Sequence, residues 1–244
     1  MAGPQTRWGM VVDIDRCTGC QACVVACWAE NNVTINTEDI VDQFRGYYWI
    51  RIERYWEGEY PNLKVRYLPV LCQHCGNAPC EPVCPVYATH RTDDGINVQV
   101  YNRCVGTRYC ANNCPYNVRF FNFWERWPLP EPDNPEAKGK GMNSYLNPDV
   151  TIRSHGIMEK CSFCLQRIRR AGRQASREGR DLRDGEIQPA CVQTCPTGVF
   201  TFGNLADPNS KVARLAQDPR HYHLLENLGT DTSVIYLKRI DVDV

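Results

Sequence analysis

With 244 residues, 43% hydrophobic and 23% charged, the chain has an ordinary globular composition for one large domain or two small ones. Its 28 basic and 28 acidic side chains balance, which argues against a nucleic-acid partner, since that would show as a basic excess. No run approaches the ~18 to 20 consecutive apolar residues that span a bilayer, and MAGPQTRWGM lacks the apolar core of a secretory signal. The chain is therefore expected neither to cross a membrane nor to anchor in one by itself.

In chain order, the first landmark is Cys17-x2-Cys20-x2-Cys23-x3-Cys27, followed by Trp28. Tyr47-Tyr-Trp-Ile-Arg-Ile-Glu-Arg-Tyr55, rich in aromatic and β-branched residues, predicts a strand. Tyr67-Leu-Pro-Val-Leu-Cys72 is a strand-sized apolar run that leads into Cys72-x2-Cys75-x4-Cys80-x3-Cys84-Pro85. Asp93-Asp94-Gly95 predicts a turn, and the alternating Gly95–Tyr101 segment predicts a short strand after it. Next comes Cys104-x5-Cys110-x3-Cys114-Pro115. Residues 125–149, with five prolines, predict a long loop or extended excursion. The fourth cysteine group is split: Cys161-x2-Cys164, then 26 residues, then Cys191-x3-Cys195-Pro196. Within that gap, residues 165–183 carry seven arginines at mixed helical spacing and predict a solvated helix, with a docking surface as the sharper reading.

Fifteen cysteines, an odd number in a chain that is neither short nor visibly secreted, fit metal ligation better than a disulfide scaffold. Iron–sulfur clusters need several thiolates converging on one inorganic core, and the C-x2-C-x2-C-x3-C-P run supplies three for one cluster while sending the fourth to a second. A proline after the last cysteine ends the loop. Structural zinc also uses C-x2-C pairs, but as two separated pairs without the compact triplet and trailing Cys-Pro. The 19 residues between Cys84 and Cys104 match the gap between the two motifs of a small bacterial ferredoxin, so groups two and three form one two-cluster unit. By elimination, groups one and four form another. The expected fold is α+β: two nested ferredoxin units with long loop insertions. Residues 72–114 are the inserted unit; 1–71 and 115–244 are the outer unit with its loops and a C-terminal extension.

Over nearly its whole length the sequence resembles the iron–sulfur, four-cluster ferredoxin subunits of the dimethyl-sulfoxide-reductase family of respiratory complexes. The resemblance runs from Trp8-Gly-Met-Val-Val-Asp-Ile-Asp-Arg-Cys17 to Val234-Ile-Tyr-Leu-Lys238. It is most specific in Leu71-Cys-Gln-His-Cys-Gly-Asn-Ala-Pro-Cys-Glu-Pro-Val-Cys-Pro85, Glu159-Lys-Cys-Ser-Phe-Cys164 and Pro189-Ala-Cys-Val-Gln-Thr-Cys-Pro-Thr-Gly198. It implies that Cys17, Cys20, Cys23 and Cys195 hold a first [4Fe–4S] cluster, and Cys27, Cys161, Cys164 and Cys191 a second. Cys72, Cys75, Cys80 and Cys114 would hold a third, leaving Cys84, Cys104 and Cys110 for the fourth.

Where most members have a further cysteine, this chain has Thr107, in Arg103-Cys-Val-Gly-Thr-Arg-Tyr-Cys110. A neutral hydroxyl is a poor substitute for thiolate on iron, so a [3Fe–4S] cluster is expected there. A [4Fe–4S] cluster with a threonine or water ligand, or a packing threonine beside an empty site, are the alternatives. That pattern looks most like the iron–sulfur parts of two quinone-linked assemblies, alternative complex III and the menaquinone reductase complex. In related subunits the fourth cluster lies nearest the membrane partner and its quinone.

The resemblance thus implies a non-catalytic electron wire, with a free-standing soluble polyferredoxin as the alternative. Its expected partners are a molybdopterin-type large subunit and an integral membrane quinone-binding subunit of the polysulfide-reductase type. A multihaem cytochrome c subunit is a further candidate. It would lie peripherally on the membrane, on the periplasmic face if it is exported folded with a twin-arginine partner, or else on the cytoplasmic face.

Other residues carry weaker signals. Lys160 reads either as a solvated lysine or as a cation that raises the second cluster's potential. His74, between two cysteines, reads as a hydrogen-bonding or packing ring, and His90, His155, His221 and His223 show no ligand spacing. The aromatic group Tyr109, Tyr116, Phe120, Phe121, Phe123 and Trp124 reads as core or as a partner-facing patch. No dinucleotide fingerprint, Walker loop or Ser/His/Asp set is present.

Overall fold

A computed structural model describes residues 6–34, 36–123 and 146–240. The strands are β1 (Trp8–Asp13), β2 (Ile50–Glu57), β3 (Lys64–Leu71), β4 (Thr89–Arg91), β5 (Asn97–Gln99), β6 (Phe120–Phe121), β7 (Met158–Glu159), β8 (Phe200–Asn204), β9 (His221–Tyr222) and β10 (Val234–Leu237). The helices are α1 (Ala22–Glu30), α2 (Glu38–Asp42), α3 (Tyr109–Asn112), α4 (Leu165–Arg177), α5 (Ala190–Thr194) and α6 (Lys211–Leu215). The mixture of short helices and short strands agrees with the α+β expectation.

The chain's two ends are knitted together. β1 is a continuous apolar run, and it lies between β8 and β10 in a four-stranded sheet ordered β8-β1-β10-β9. It pairs parallel with β10, from Met10 opposite Val234 to Asp13 opposite Leu237. It pairs antiparallel with β8, from Trp8 opposite Asn204 to Val12 opposite Phe200. Being covered on both faces suits strands without polar alternation, and all four residues of β10 are buried. The other pairs are antiparallel: a long β2–β3 hairpin, β4–β5 and β6–β7.

The sequence-predicted elements shift for identifiable reasons. The expected strand at Tyr47–Tyr55 begins at Ile50, because Tyr47 and Trp49 leave the pleat and bury in the core, where Trp49 Nε1 donates to Glu159 Oε2 at 3.2 Å. The strand after Asp93-Asp94-Gly95 covers Asn97–Gln99, and Gly95 takes the left-handed conformation (φ +84°) as its N–H donates to the Thr92 carbonyl at 2.9 Å. The arginine-rich helix ends at Arg177, just before Gly179 (φ +63°). Residues 125–145 of the expected proline-rich excursion lie outside the described residues. Among the described residues no helix is long and apolar enough to cross a membrane.

Candidate metal centres

The cysteine loops repeat in three dimensions. β1 leads through a 3-10 turn (Ile14–Arg16) into Cys17-Thr-Gly-Cys20-Gln-Ala-Cys23, with Gly19 at φ +70°, Gln21 at φ +62° and α1 starting at Ala22. β5 leads through a 3-10 turn (Tyr101–Arg103) into Cys104-Val-Gly-Thr107-Arg-Tyr-Cys110, with Gly106 at φ +73°, Arg108 at φ +62° and α3 starting at Tyr109. Thr107 therefore stands where Cys20 stands. The glycine is needed in both: a Cβ on Gly19 would meet the Tyr67 ring and one on Gly106 the Gly156 carbonyl.

The three Cys-Pro returns share a second design. After Cys84, Cys114 and Cys195, the third residue on (Tyr87, Asn117, Gly198) takes positive φ and donates its N–H to the cysteine's own carbonyl at 3.2–3.4 Å. The fourth N–H then reaches sulfur, Ala88 to Cys84 Sγ at 3.1 Å and Val199 to Cys195 Sγ at 3.3 Å. In the remaining pairs, His74 and Phe163 occupy the same place, each at positive φ just before the second cysteine, and their rings stack at 3.7 Å.

These loops surround four cavities. The first is lined by Cys17, Cys20, Cys23 and Cys195. The second is lined by Cys27, Cys161, Cys164 and Cys191, and the third by Cys72, Cys75, Cys80 and Cys114. The fourth is lined by Cys84, Cys104 and Cys110 together with Thr107. Each set expected from the sequence lines one cavity, and no set is divided between two.

The chemistry of these cavities suits iron–sulfur clusters. All fifteen cysteines are free thiols. Among the described residues no group of three or more Cys, His, Asp or Glu is placed to hold a single metal ion. Further donors aim at sulfur: Met158 N–H to Cys104 (3.3 Å), Phe163 N–H to Cys161 (3.4 Å), Ala190 N–H to Cys164 (3.5 Å), and Asn31 Nδ2 to both Cys27 and Cys164 (3.6 Å). Burial pushes the Cys23 and Cys161 thiols up to about 12. Cys84 is the contrary case: burial opposes its ionisation, but the N–H groups of Val86, Thr89 and Ala88 outweigh it and lower the thiol.

Lys160 is not solvated. It is 1% exposed, and its Nζ donates to the carbonyls of Asn97 and of Cys161 (2.8 Å). His74 is fully buried, stacks on Phe163 and accepts the Asn97 N–H at Nδ1 (3.2 Å), so it is the hydrogen-bonding and packing ring expected. Sequence reasoning missed Arg119, Asn97, Asn31 and the buried Arg153–Glu159 ion pair (2.8 Å). They are isolated polar residues without ligand spacing; the available signal for Arg119 was a charge inside the aromatic run Tyr116-Asn-Val-Arg-Phe-Phe121. The aromatic group divides: Tyr116 is buried, Tyr109 is exposed, and Arg108 lies over the Phe121 and Phe123 rings. Trp124 lies outside the described residues.

The loops and cavities define a ferredoxin-like protein built to enclose several iron–sulfur clusters. Two family profiles, both described as a 4Fe–4S dicluster domain, match residues 63–126 and 16–88. The chain is 42% identical to the menaquinone reductase iron–sulfur cluster-binding subunit of Nitratidesulfovibrio vulgaris, over 96% of this chain and 89% of that one. It is 37% identical to a putative dimethyl sulfoxide reductase iron–sulfur subunit of Halobacterium salinarum, over 95% and 79%. It is 36% identical to an Hdr-like menaquinol oxidoreductase iron–sulfur subunit of Archaeoglobus fulgidus, over 95% and 83%. The chain belongs to the iron–sulfur subunits of the dimethyl-sulfoxide-reductase family of respiratory complexes. The second profile joins cysteine groups one and two in linear order, whereas Cys17, Cys20 and Cys23 share their cavity with Cys195.

Proposed function

We propose that this chain is the electron-transfer subunit of a membrane-bound, quinone-linked respiratory oxidoreductase. It would pass single electrons along three [4Fe–4S] clusters and one [3Fe–4S] cluster. The observation that carries this reading is the set of four cavities, three lined by four thiols and one by three thiols and Thr107. Bound clusters would supply one-electron redox chemistry; the cysteines would hold the iron, and the N–H groups of Ala88, Val199, Met158 and Phe163 and the Arg119 guanidinium donate to their sulfurs. Membership in a family of complex subunits favours the wire over a free-standing polyferredoxin, as does relatives being named for menaquinone and menaquinol reactions.

The ligands would be Cys17, Cys20, Cys23 and Cys195 for the first cluster and Cys27, Cys161, Cys164 and Cys191 for the second. Cys72, Cys75, Cys80 and Cys114 would hold the third; Cys84, Cys104 and Cys110 the fourth, with Thr107 at the vacated position. This grouping supports two nested ferredoxin units, 72–114 inside 1–71 and 115–244. Losing one iron and one thiolate changes the fourth cluster's charge, a term that sets its potential. A high potential there suits exchange with quinone in an integral membrane partner, with a molybdopterin-type large subunit at the other end. A multihaem cytochrome c subunit and the periplasmic face of the membrane complete the arrangement.

EPR-monitored redox titration with iron quantification tests the reading. The expected result is about 15 iron atoms per chain and a [3Fe–4S] signal in the oxidised protein with the highest midpoint of the set. Thr107→Cys should convert that cluster to [4Fe–4S] and lower its potential. About 16 irons and no such signal in the unaltered chain would defeat the assignment of Thr107. Isolation as a cluster-loaded monomer with no membrane partner would defeat the wire.

A further inference from the structure

Two buried cations flank the cavity of Cys72, Cys75, Cys80 and Cys114. Arg119, 5% exposed, lines it and donates from Nη1 to Cys80 Sγ at 3.3 Å and to Asn97 Oδ1 at 3.2 Å, and from Nη2 to Gln99 Oε1. Its Nε–H is buried without a protein partner, beside a cavity where a cluster sulfide would be an acceptor. Its charge also faces Cys110, so it stands between the third and fourth cavities. Lys160 reaches the same node from the second cavity, through the Asn97 carbonyl.

Two carboxylates come near this region, one neutralised by its own arginine and one held by Asn97. Glu159 is paired with Arg153 at 2.8 Å, and Glu81 meets the node through Asn97 Nδ2 at 2.7 Å. At the second cavity Arg167 is paired with Glu30 at 2.6 Å, while Lys160, which donates to the Cys161 carbonyl, stands beside that cavity as well. Reduction adds one electron to a cluster, with no bond made or broken. The more negative reduced state gains more from an adjacent cation and from a charge-assisted hydrogen bond to a ligand sulfur.

We propose that Arg119, supported by Lys160, raises the potential of the cluster held by Cys72, Cys75, Cys80 and Cys114 above those of the other two [4Fe–4S] clusters. That cluster then collects electrons at the junction between the two cluster pairs. This rests on the cluster reading above, and the test separates the two. In the cluster-loaded full chain, Arg119→Gln is expected to retain its iron while one [4Fe–4S] signal becomes roughly tenfold harder to reduce, about 59 mV lower for a one-electron couple. The other midpoints stay in place, and Cys80→Ser perturbs that same signal. Arg119→Lys, which keeps the charge, should lose less than half as much. In unaltered protein carrying 15N-arginine, pulsed EPR should show a nitrogen coupling on that signal, a measurement that depends on no variant folding. Full iron with unchanged midpoints, an Arg119→Lys shift as large as that of Arg119→Gln, or no arginine coupling would each overturn the proposal. An unaltered chain that binds no iron–sulfur cluster would sink the cluster reading first, and this inference with it.

Discussion

Thr107 and Cys20 stand between matching residues, Gly106 and Gly19 before them and Arg108 and Gln21 after them, all at positive φ, and differ in the atom they would offer to iron. Because the loops match, the substitution should be portable. Cys20→Thr is expected to do to the first cavity what is proposed for Thr107 at the fourth, giving a second [3Fe–4S] signal and about 14 irons per chain. Retention of about 15 irons without a second signal would show that Thr107 alone does not determine the cluster type. Gly106 is as constrained as its neighbour: alanine there would need positive φ and would press its Cβ into the Gly156 carbonyl. Gly106→Ala should empty the fourth cavity first, seen as loss of the oxidised-state EPR signal while the [4Fe–4S] signals persist. Single residues were also where the sequence was least readable. Cysteines announce themselves by spacing, but Arg119 and Lys160 become meaningful only when the fold buries them beside sulfur.

At the level of elements, the short strand β7 is held by charge as well as by pairing. Glu159 accepts from Trp49 Nε1 and Asn122 Nδ2 and forms an ion pair with Arg153, both side chains of the pair being 1% exposed. Arg153→Leu would leave Glu159 as an unpaired buried carboxylate, at a cost of about 3–5 kcal/mol. Denaturant unfolding checks this, and Arg153→Leu combined with Glu159→Leu should recover much of the loss. The β-branched and aromatic runs identified strands, and the cysteine spacing identified the loops between them. The spacing could not show the start of β2, because Tyr47 and Trp49 look like strand residues until Glu159, 110 positions on, provides a buried acceptor for the indole. Nor did composition show that a lysine next to a cysteine would be buried, since its acceptors are backbone carbonyls supplied by the fold.

For the whole molecule, the parallel pairing of the first strand with the last is the controlling feature. Val234, Ile235, Tyr236 and Leu237 are 0–6% exposed, and burying each such side chain contributes about 1.5–3 kcal/mol. Truncation after Gly229 removes all four, and with them the parallel partner of β1. The truncated chain is expected to be cut by protease at concentrations that leave the full chain intact; equal resistance would mean that β10 is dispensable. The same closure has a consequence for synthesis. Cys17, Cys20 and Cys23 leave the ribosome early, yet their cavity also needs Cys195. At about 5–20 residues per second, that partner follows by on the order of ten to thirty seconds. The third cavity, spanning Cys72 to Cys114, is complete far sooner. The site nearest the start of the chain is thus among the last that can be filled, and a chain whose translation stops early exposes thiols with no closed pocket in which to keep their iron.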